Sequence, residues 1–236
     1  MLPDQLRETL ISNSNETIRK SGSRFFKEEI KLYGIKTKMV SDIGKDFFRE
    51  IKHLSKSEIF SLCEELWKSG YMEESFIASQ WIFAIRKQFQ PEDFQYFDRW
   101  VNLYVKNWAS CDTFCNHSVG DFIMKYPEFI ANLKQWAHSP NLWMRRAAAV
   151  SLIVPAREGK LLKEIFEIAE ILLTDKEDLV QKGYGWMLKA ASRLHEEEVF
   201  TFVMDHKKEM PRTALRYAIE KMDAGRKEAA MARQAV

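Results

Sequence analysis

The sequence predicts an all-α protein, and three observations carry that expectation. Only nine Gly and six Pro are spread over 236 residues, too few for the turns of an all-β sandwich. Apolar residues recur at helical spacing through most of the chain, and no alternating run is long enough to lay down a sheet. Capping and stop signals punctuate those runs at short intervals.

Residues 2–33 read as one or two amphipathic helices, broken and capped at Ser12, Asn13, Ser14 and Asn15. After a turn at Gly34, the residues Met39, Val40, Ile43, Phe47 and Ile51 fall near helical spacing and are expected to face a core. The next helix, in SKSEIFSLCEELWKSG, has both ends marked. Ser55 with Glu58 makes a capping-box pattern, and Gly70 offers a left-handed C-terminal residue. Helices follow in ESFIASQWIFAIRKQF, in PEDFQYFDRWVNLYV with Pro91 in its first turn, and in WASCDTFCNHSVGDFIMKY, which stops before Pro127. The pattern continues through PEFIANLKQWAHS, NLWMRRAAAVSLIV, LLKEIFEIAEILL, EDLVQKGYGWMLKAASRL, HEEEVFTFVMDHK and PRTALRYAIEKM. The stretch VPAREGK, 154–160, fits either a simple loop or a small inserted hairpin, and it offers Arg157 and Lys160 if it projects toward a groove.

A polar-capped helix, a short turn and a second helix carrying Trp or Arg recur about every 30 to 40 residues, around Trp108, Trp143, Trp186 and Arg212. Such pairs cannot bury their apolar faces alone. They are expected to stack into a curved solenoid whose second helices line one concave surface, with a non-repeating helical bundle as the competing arrangement.

Composition excludes several function classes. Lys plus Arg total 36 against 34 Asp plus Glu, so any basic surface is local. Cys63, Cys111 and Cys115 form no even disulfide framework, and the N-terminus carries no signal-peptide pattern, which together lead to a cytoplasmic, reducing setting as the expectation. The longest apolar runs, such as Ala147–Ala156, fall short of a bilayer span. No GxSxG, HExxH or Walker sequence occurs. GYGW follows no strand pattern and lacks a third glycine, so Gly183 and Gly185 read as places of close packing rather than a nucleotide loop.

Trp108 and Asp112 lie four apart and share one helix face, an indole beside a carboxylate. Either both address one ligand, or the tryptophan belongs to the core and the aspartate to a cap. Cys111, Cys115 and His117 invite a metal, but the paired CxxC spacing of a structural zinc site is missing and buried thiols are the expected reading. In LWMRRAAAV, small residues allow close helix approach while Arg145 and Arg146 are expected to reach outward to phosphate. Lys182, Trp186, Lys189 and Arg193 fall near one face, an aromatic interleaved with cations, and Arg212, Arg216 and Lys221 follow. Each alone reads as a solvated helix face; together they suggest a groove that tracks phosphates.

With these residues in order, from NWASCD through GDFIMKYPE and NLWMRRAA to LVQKGYGWMLK and PRTALRYAIEKM, the chain resembles the DNA alkylation repair family of helical-repeat DNA glycosylases. The resemblance implies a right-handed superhelical solenoid of HEAT-like repeats over 1–236, with 1–33 matched only loosely, holding duplex DNA in its concave face. It further implies hydrolysis of the N-glycosidic bond of cationic N3- or N7-alkylated purines without a deep base-flipping pocket; a monomer without cofactor or metal is the expectation beside it. By position, Asp112 resembles the catalytic carboxylate, Trp108 and Trp186 the aromatics beside the damaged nucleotide, and Arg146 an arginine that contacts the DNA backbone. Phe25 stands at the place of a tyrosine in the N-terminal DNA-facing helix, and Asn107 at that of a further tryptophan. Two other readings are a non-catalytic relative that binds branched or distorted DNA and a HEAT-type protein-interaction scaffold.

Overall fold

A computed structural model describes residues 2–232. Every regular element among them is helical, and the only approach to a strand is an isolated parallel bridge between Lys31 and Tyr71. The all-α expectation holds. Packing divides the chain into two compact units, residues up to Phe114 and residues from Cys115 onward. No helix among the described residues is long and apolar enough to cross a membrane.

The first unit runs α1 (Leu2–Ser12), α2 (Glu16–Ser23), α3 (Thr37–Ile51), α4 (Lys56–Ser69), α5 (Met72–Ala84), α6 (Phe94–Tyr104) and α7 (Trp108–Phe114). Its helix ends follow the sequence signals. Asn15 Oδ1 accepts from the Ile18 amide at 3.0 Å, Ser55 and Glu58 form the reciprocal capping box, and Gly70 turns left-handed at φ 74°. α3, α5 and α7 pack in one row, with α4 against α5 and α6 behind them. The layers close on an aromatic cluster, in which Phe97 meets Phe114 edge-on at 5.5 Å and Trp67 meets Phe114 at 5.6 Å. Met39 departs from the expected core face and is exposed. Val40 and Gly44 take the buried side of α3, where Gly44 lies under Trp81, whose Nε1 donates to the Gly44 carbonyl at 2.7 Å. Met39, one residue before Val40, is turned about 100° away around the helix.

Between α2 and α3 the chain has almost no regular structure, yet it is held firmly. Glu73, buried in the first turn of α5, accepts from the backbone amides of Tyr33 (3.1 Å), Gly34 (2.9 Å) and Ile35 (3.3 Å). Its neighbour Glu74, also buried, accepts from the Tyr33 hydroxyl at 2.7 Å and pairs with the Arg7 Nε at 3.2 Å. Gly34 sits at φ 85°, where an added Cβ would lie 2.3 Å from the Asn15 carbonyl oxygen.

The second unit opens with a π turn at Cys115–Val119 and continues through α8 (Gly120–Lys125), α9 (Ile130–Ala137), α10 (Leu142–Val150), α11 (Ile153–Arg157), α12 (Leu162–Ile171), α13 (Asp178–Ala191), α14 (Glu196–His206), α15 (Arg212–Ala218) and α16 (Ala224–Met231). Helix pairs are evident. α9 is followed by α10, α12 by α13 and α14 by α15, and the second members α10, α13 and α15 pack successively on one another. These are the helices that carry Trp143, Trp186 and Arg212, so the recurrence in the sequence marks a true structural repeat. The sequence signals gave no expectation of α16. The stretch 154–160 is neither loop nor hairpin: α11 makes a single turn, with Pro155 early enough that its missing N–H costs nothing, and the reversal is made by Gly159 at φ 69° and Leu161 at φ 60°.

The two glycines of GYGW differ in their demands. A Cβ on Gly185 would meet the Tyr217 Cβ at 2.7 Å and the Ala214 carbonyl oxygen at 2.8 Å, so this glycine sets how closely α13 approaches α15. A Cβ on Gly183 would meet the Arg146 Cγ at 3.4 Å, an ordinary contact. Gly185→Ala is therefore expected to destabilise the protein by about 1–3 kcal/mol through overpacking, whereas Gly183→Ala is neutral or stabilising by up to about 1 kcal/mol through helix propensity. Urea denaturation of the two variants checks this, and equal midpoints would remove the close-packing role of Gly185.

Candidate nucleic-acid interface

α7 owes its start to Asn107. The buried Asn107 side chain accepts from the Ser110 amide at 2.8 Å, and its carbonyl accepts from the Cys111 amide at 3.1 Å, the geometry of an N-cap. The Ser110 hydroxyl meets that of Ser75 on α5 at 2.7 Å. Ser110, Cys111 and Phe114 turn inward, which leaves Trp108 and Asp112 half-buried on the other side. The cap is thus Asn107, not Asp112, and the Trp108 indole is not part of the closed core. Asn107, which the resemblance sets at the place of a tryptophan, serves here as the cap of α7.

Trp108 stacks on Phe26, ring centroids 5.2 Å apart and planes 18° from parallel. Phe25 points elsewhere and is 77% exposed. The residue that reaches Trp108 is therefore the one after the aromatic singled out in the sequence. No sequence pattern distinguishes two consecutive phenylalanines, because the stretch that carries them is irregular.

In the second unit, Trp186 is half-buried on α13 and the Arg157 guanidinium lies 6.0 Å from the indole centroid, a cation–π arrangement at its outer limit. Partial desolvation of the imidazole, with the charge of Arg157 second, holds His117 below the ordinary histidine value. All three cysteines are buried and none is in a disulfide among the described residues, where no group of three His, Cys, Asp or Glu side chains could hold a metal ion.

The arginines of α10 do not reach outward as expected. Arg146 is only 5% exposed, donates to the Leu179 carbonyl and passes beside Gly183. The Arg145 Nε meets Asp175 at 2.6 Å, and its Nη1 donates to the Ser139 and Pro140 carbonyls at 2.9 and 3.0 Å. The physical reason is that Asp175, almost fully buried in the turn before α13, needs a cation. Other expected phosphate ligands also have acidic neighbours. Lys182 pairs with Asp178 at 2.8 Å, and Lys189 with Glu220 at 2.8 Å while lying 5.3 Å from the Tyr217 ring. Arg212 donates to the Met231 carbonyl at 3.3 Å. Arg216 is exposed and has no ion pair among the described residues.

The sequence matches the family model described as DNA alkylation repair enzyme over residues 6–222. The chain belongs to the DNA alkylation repair enzyme family. That membership supports a DNA repair role, and with it DNA binding and enzymatic activity. No curated protein matches the sequence. Solved structures resemble the fold, two of them as follows. One is a predicted DNA alkylation repair enzyme from Enterococcus faecalis, at TM-score 0.80 and 17% identity, covering 90% of this chain and 98% of that one. The other is smu.31 from Streptococcus mutans UA159, at TM-score 0.58 and 19% identity, covering 79% of this chain and 99% of that one.

In this member of the family the start of α7 depends on one amide side chain. Asn107→Ala is expected to lower stability by about 1 kcal/mol, and Asn107→Asp, which keeps the acceptor, to restore most of the loss. Chemical denaturation reads both. Unchanged stability in Asn107→Ala would show that the cap contributes nothing.

Proposed function

We propose that this DNA alkylation repair family protein is a DNA glycosylase that hydrolyses the N-glycosidic bond of cationic N3- or N7-alkylated purines in duplex DNA. The observation that carries the reading is the half-exposed pair on α7: the Asp112 carboxylate one helical turn from the Trp108 indole, the indole itself lying parallel to Phe26.

The chemistry suits a single carboxylate. An alkylated purine that already bears positive charge leaves without being protonated, so the general acid used by most glycosidases is dispensable. As the bond breaks, positive charge develops on the deoxyribose. A fixed carboxylate stabilises that oxocarbenium-like centre and accepts a proton from the attacking water. The indole face of Trp108 attracts the cationic base, worth about 0.5 to 2 kcal/mol depending on desolvation. Trp186 offers a second aromatic face in its own unit. Exposed cations such as Arg216 hold phosphates, which position the duplex without reading its sequence.

Release of 7-methylguanine or 3-methyladenine from methylated duplex DNA tests the reading. Asp112→Asn is expected to slow single-turnover release by about 10²- to 10³-fold. Equal release by both proteins removes Asp112 from the mechanism. Absence of release by the unaltered protein, with duplex binding retained, assigns it instead to the non-catalytic binders. Arg216→Ala is expected to weaken binding to damaged and undamaged duplex alike and to lower the slope of log affinity against log salt by about one. Titrations at several salt concentrations measure that slope, and an unchanged value takes Arg216 out of the interface.

A further inference from the structure

A second basic feature lies in the first unit, on residues that the proposed chemistry does not use. A cavity of about 350 Å³ opens beside α2, lined by Arg19, Lys20 and Ser23 of that helix, by Lys31 and Leu32 of the following stretch, and by Tyr71 before α5. We propose that this cavity binds a phosphodiester of the DNA strand, an inference that rests on the DNA-directed reading above.

Charge comes first. Three cations face one opening. Glu16 pairs with Arg19 and, at 3.4 Å, with Lys20, and it is the one carboxylate paired with these three cations among the described residues. Lys31 has no ion pair among the described residues and is exposed. A cation left without a carboxylate beside two that share one is a surplus that an anion neutralises.

The second argument is preorganisation. The backbone of Lys31 is fixed although its side chain is free: its carbonyl accepts from the Met72 amide at 3.0 Å, and it bridges Tyr71. Tyr71 is itself clamped, stacked on Tyr33 at 4.1 Å, and Tyr33 is held by Glu73 and Glu74. The ammonium group therefore swings from a rigid anchor, which limits the entropy lost when it takes a ligand. Lysine acts on phosphate as a point charge and needs no bidentate geometry.

The third argument is position along the chain. Residues 19–32 build most of the cavity and also carry Phe25, 77% exposed, and Phe26, stacked on Trp108. The stretch that holds these cations is thus continuous in sequence with the ring that meets Trp108, the aromatic to which the proposed reading brings a nucleotide. The shared chemistry is a phosphate ester, and its two sources are the DNA strand and a free small phosphate.

The test uses the full chain and two probes. Inorganic phosphate is titrated while backbone amide shifts of Ser23, Lys31 and Tyr71 are followed by NMR, and an undamaged fluorescein-labelled duplex is titrated at several salt concentrations. Lys31→Gln and the double variant with Arg19→Gln are compared with the unaltered protein, and thermal melting confirms that each is folded. The expected result is phosphate-dependent shifts at the three amides, lost in Lys31→Gln, together with a duplex affinity lowered several-fold and a salt slope reduced by about one per cation removed. Lys31→Glu is expected to weaken binding further than Lys31→Gln. Phosphate shifts without any change in duplex affinity overturn the strand assignment in favour of a small phosphate. No shifts and unaltered duplex binding overturn the inference and leave the DNA reading standing. An unaltered protein that binds no duplex at low salt overturns both.

Discussion

Two adjacent carboxylates buried in the first turn of α5 fix the stretch of chain on which the first unit's candidate interface depends. Burying one ionised carboxylate is costly, and burying two side by side adds their mutual repulsion. The structure meets the cost in two different ways. Glu74 is neutralised by Arg7 and bonded by the Tyr33 hydroxyl, while Glu73 takes three backbone amides that would otherwise lack partners. The N-terminal end of α5 adds its favourable partial charge to both. Because those three amides belong to consecutive residues, the carboxylate fixes a turn of chain that no helix or sheet supports. Lys31 against Tyr71 and, further back, Phe26 against Trp108 precede that turn on the same irregular chain. Burial also pushes the Tyr33 hydroxyl well above its ordinary range, with Glu74 second, so the phenol remains a donor across the whole working pH range.

Features of local origin were legible before any coordinates. The cap at Asn15, the capping box of Ser55 and Glu58 and the left-handed Gly70 each depend on residues within a turn or two of one another, and the second helices at Trp143, Trp186 and Arg212 recur through the same kind of local pattern. Close packing at Gly185 was legible as well, since a glycine inside a strong helical pattern needs a reason. Features of distant origin were not legible. Glu73 and Glu74 look like solvated first-turn acids until Tyr33, Gly34 and Arg7 are brought to them. Asn107 was noticeable only as a departure from a pattern, and its cap became visible once the start of α7 was known. Phe25 stands out by its resemblance to a family tyrosine on a helix expected over 2–33, but α2 ends at Ser23, and on the irregular chain beyond it Phe26 is the ring that meets Trp108. Asp112 and Trp108 could be placed on one helix from their spacing, whereas the partner of Trp108 could not.

The same division runs through the cations. Lys182 and Asp178 are four residues apart on one helix, so their pairing follows from spacing alone. Arg145 with Asp175 and Lys189 with Glu220 join residues about thirty apart, and a sequence shows only that both charges exist. A helix face rich in Lys and Arg therefore overstates the positive potential a phosphate meets, and net charge near zero is the warning that the carboxylates must lie somewhere.

Pairing does not by itself withdraw a cation from DNA; what decides is the carboxylate left behind. Glu220 is exposed and also touches Lys221 at 3.3 Å, so opening the Lys189 pair leaves a hydrated, still partly compensated anion. Fully exposed pairs are worth about 0–1 kcal/mol, and this one, with Lys189 largely covered, still leaves an exposed carboxylate when opened. The same reasoning holds for Lys182 and Asp178, both well hydrated. Asp175 is different: its side chain is 7% exposed, and releasing Arg145 would leave a buried charge uncompensated, a loss of about 3–5 kcal/mol. In the proposed reading Lys182 and Lys189 are exchangeable with phosphate, while Arg145 is held by the interior. The burial of the acidic partner, rather than the presence of the base, separates structural cations from those available to a nucleic acid.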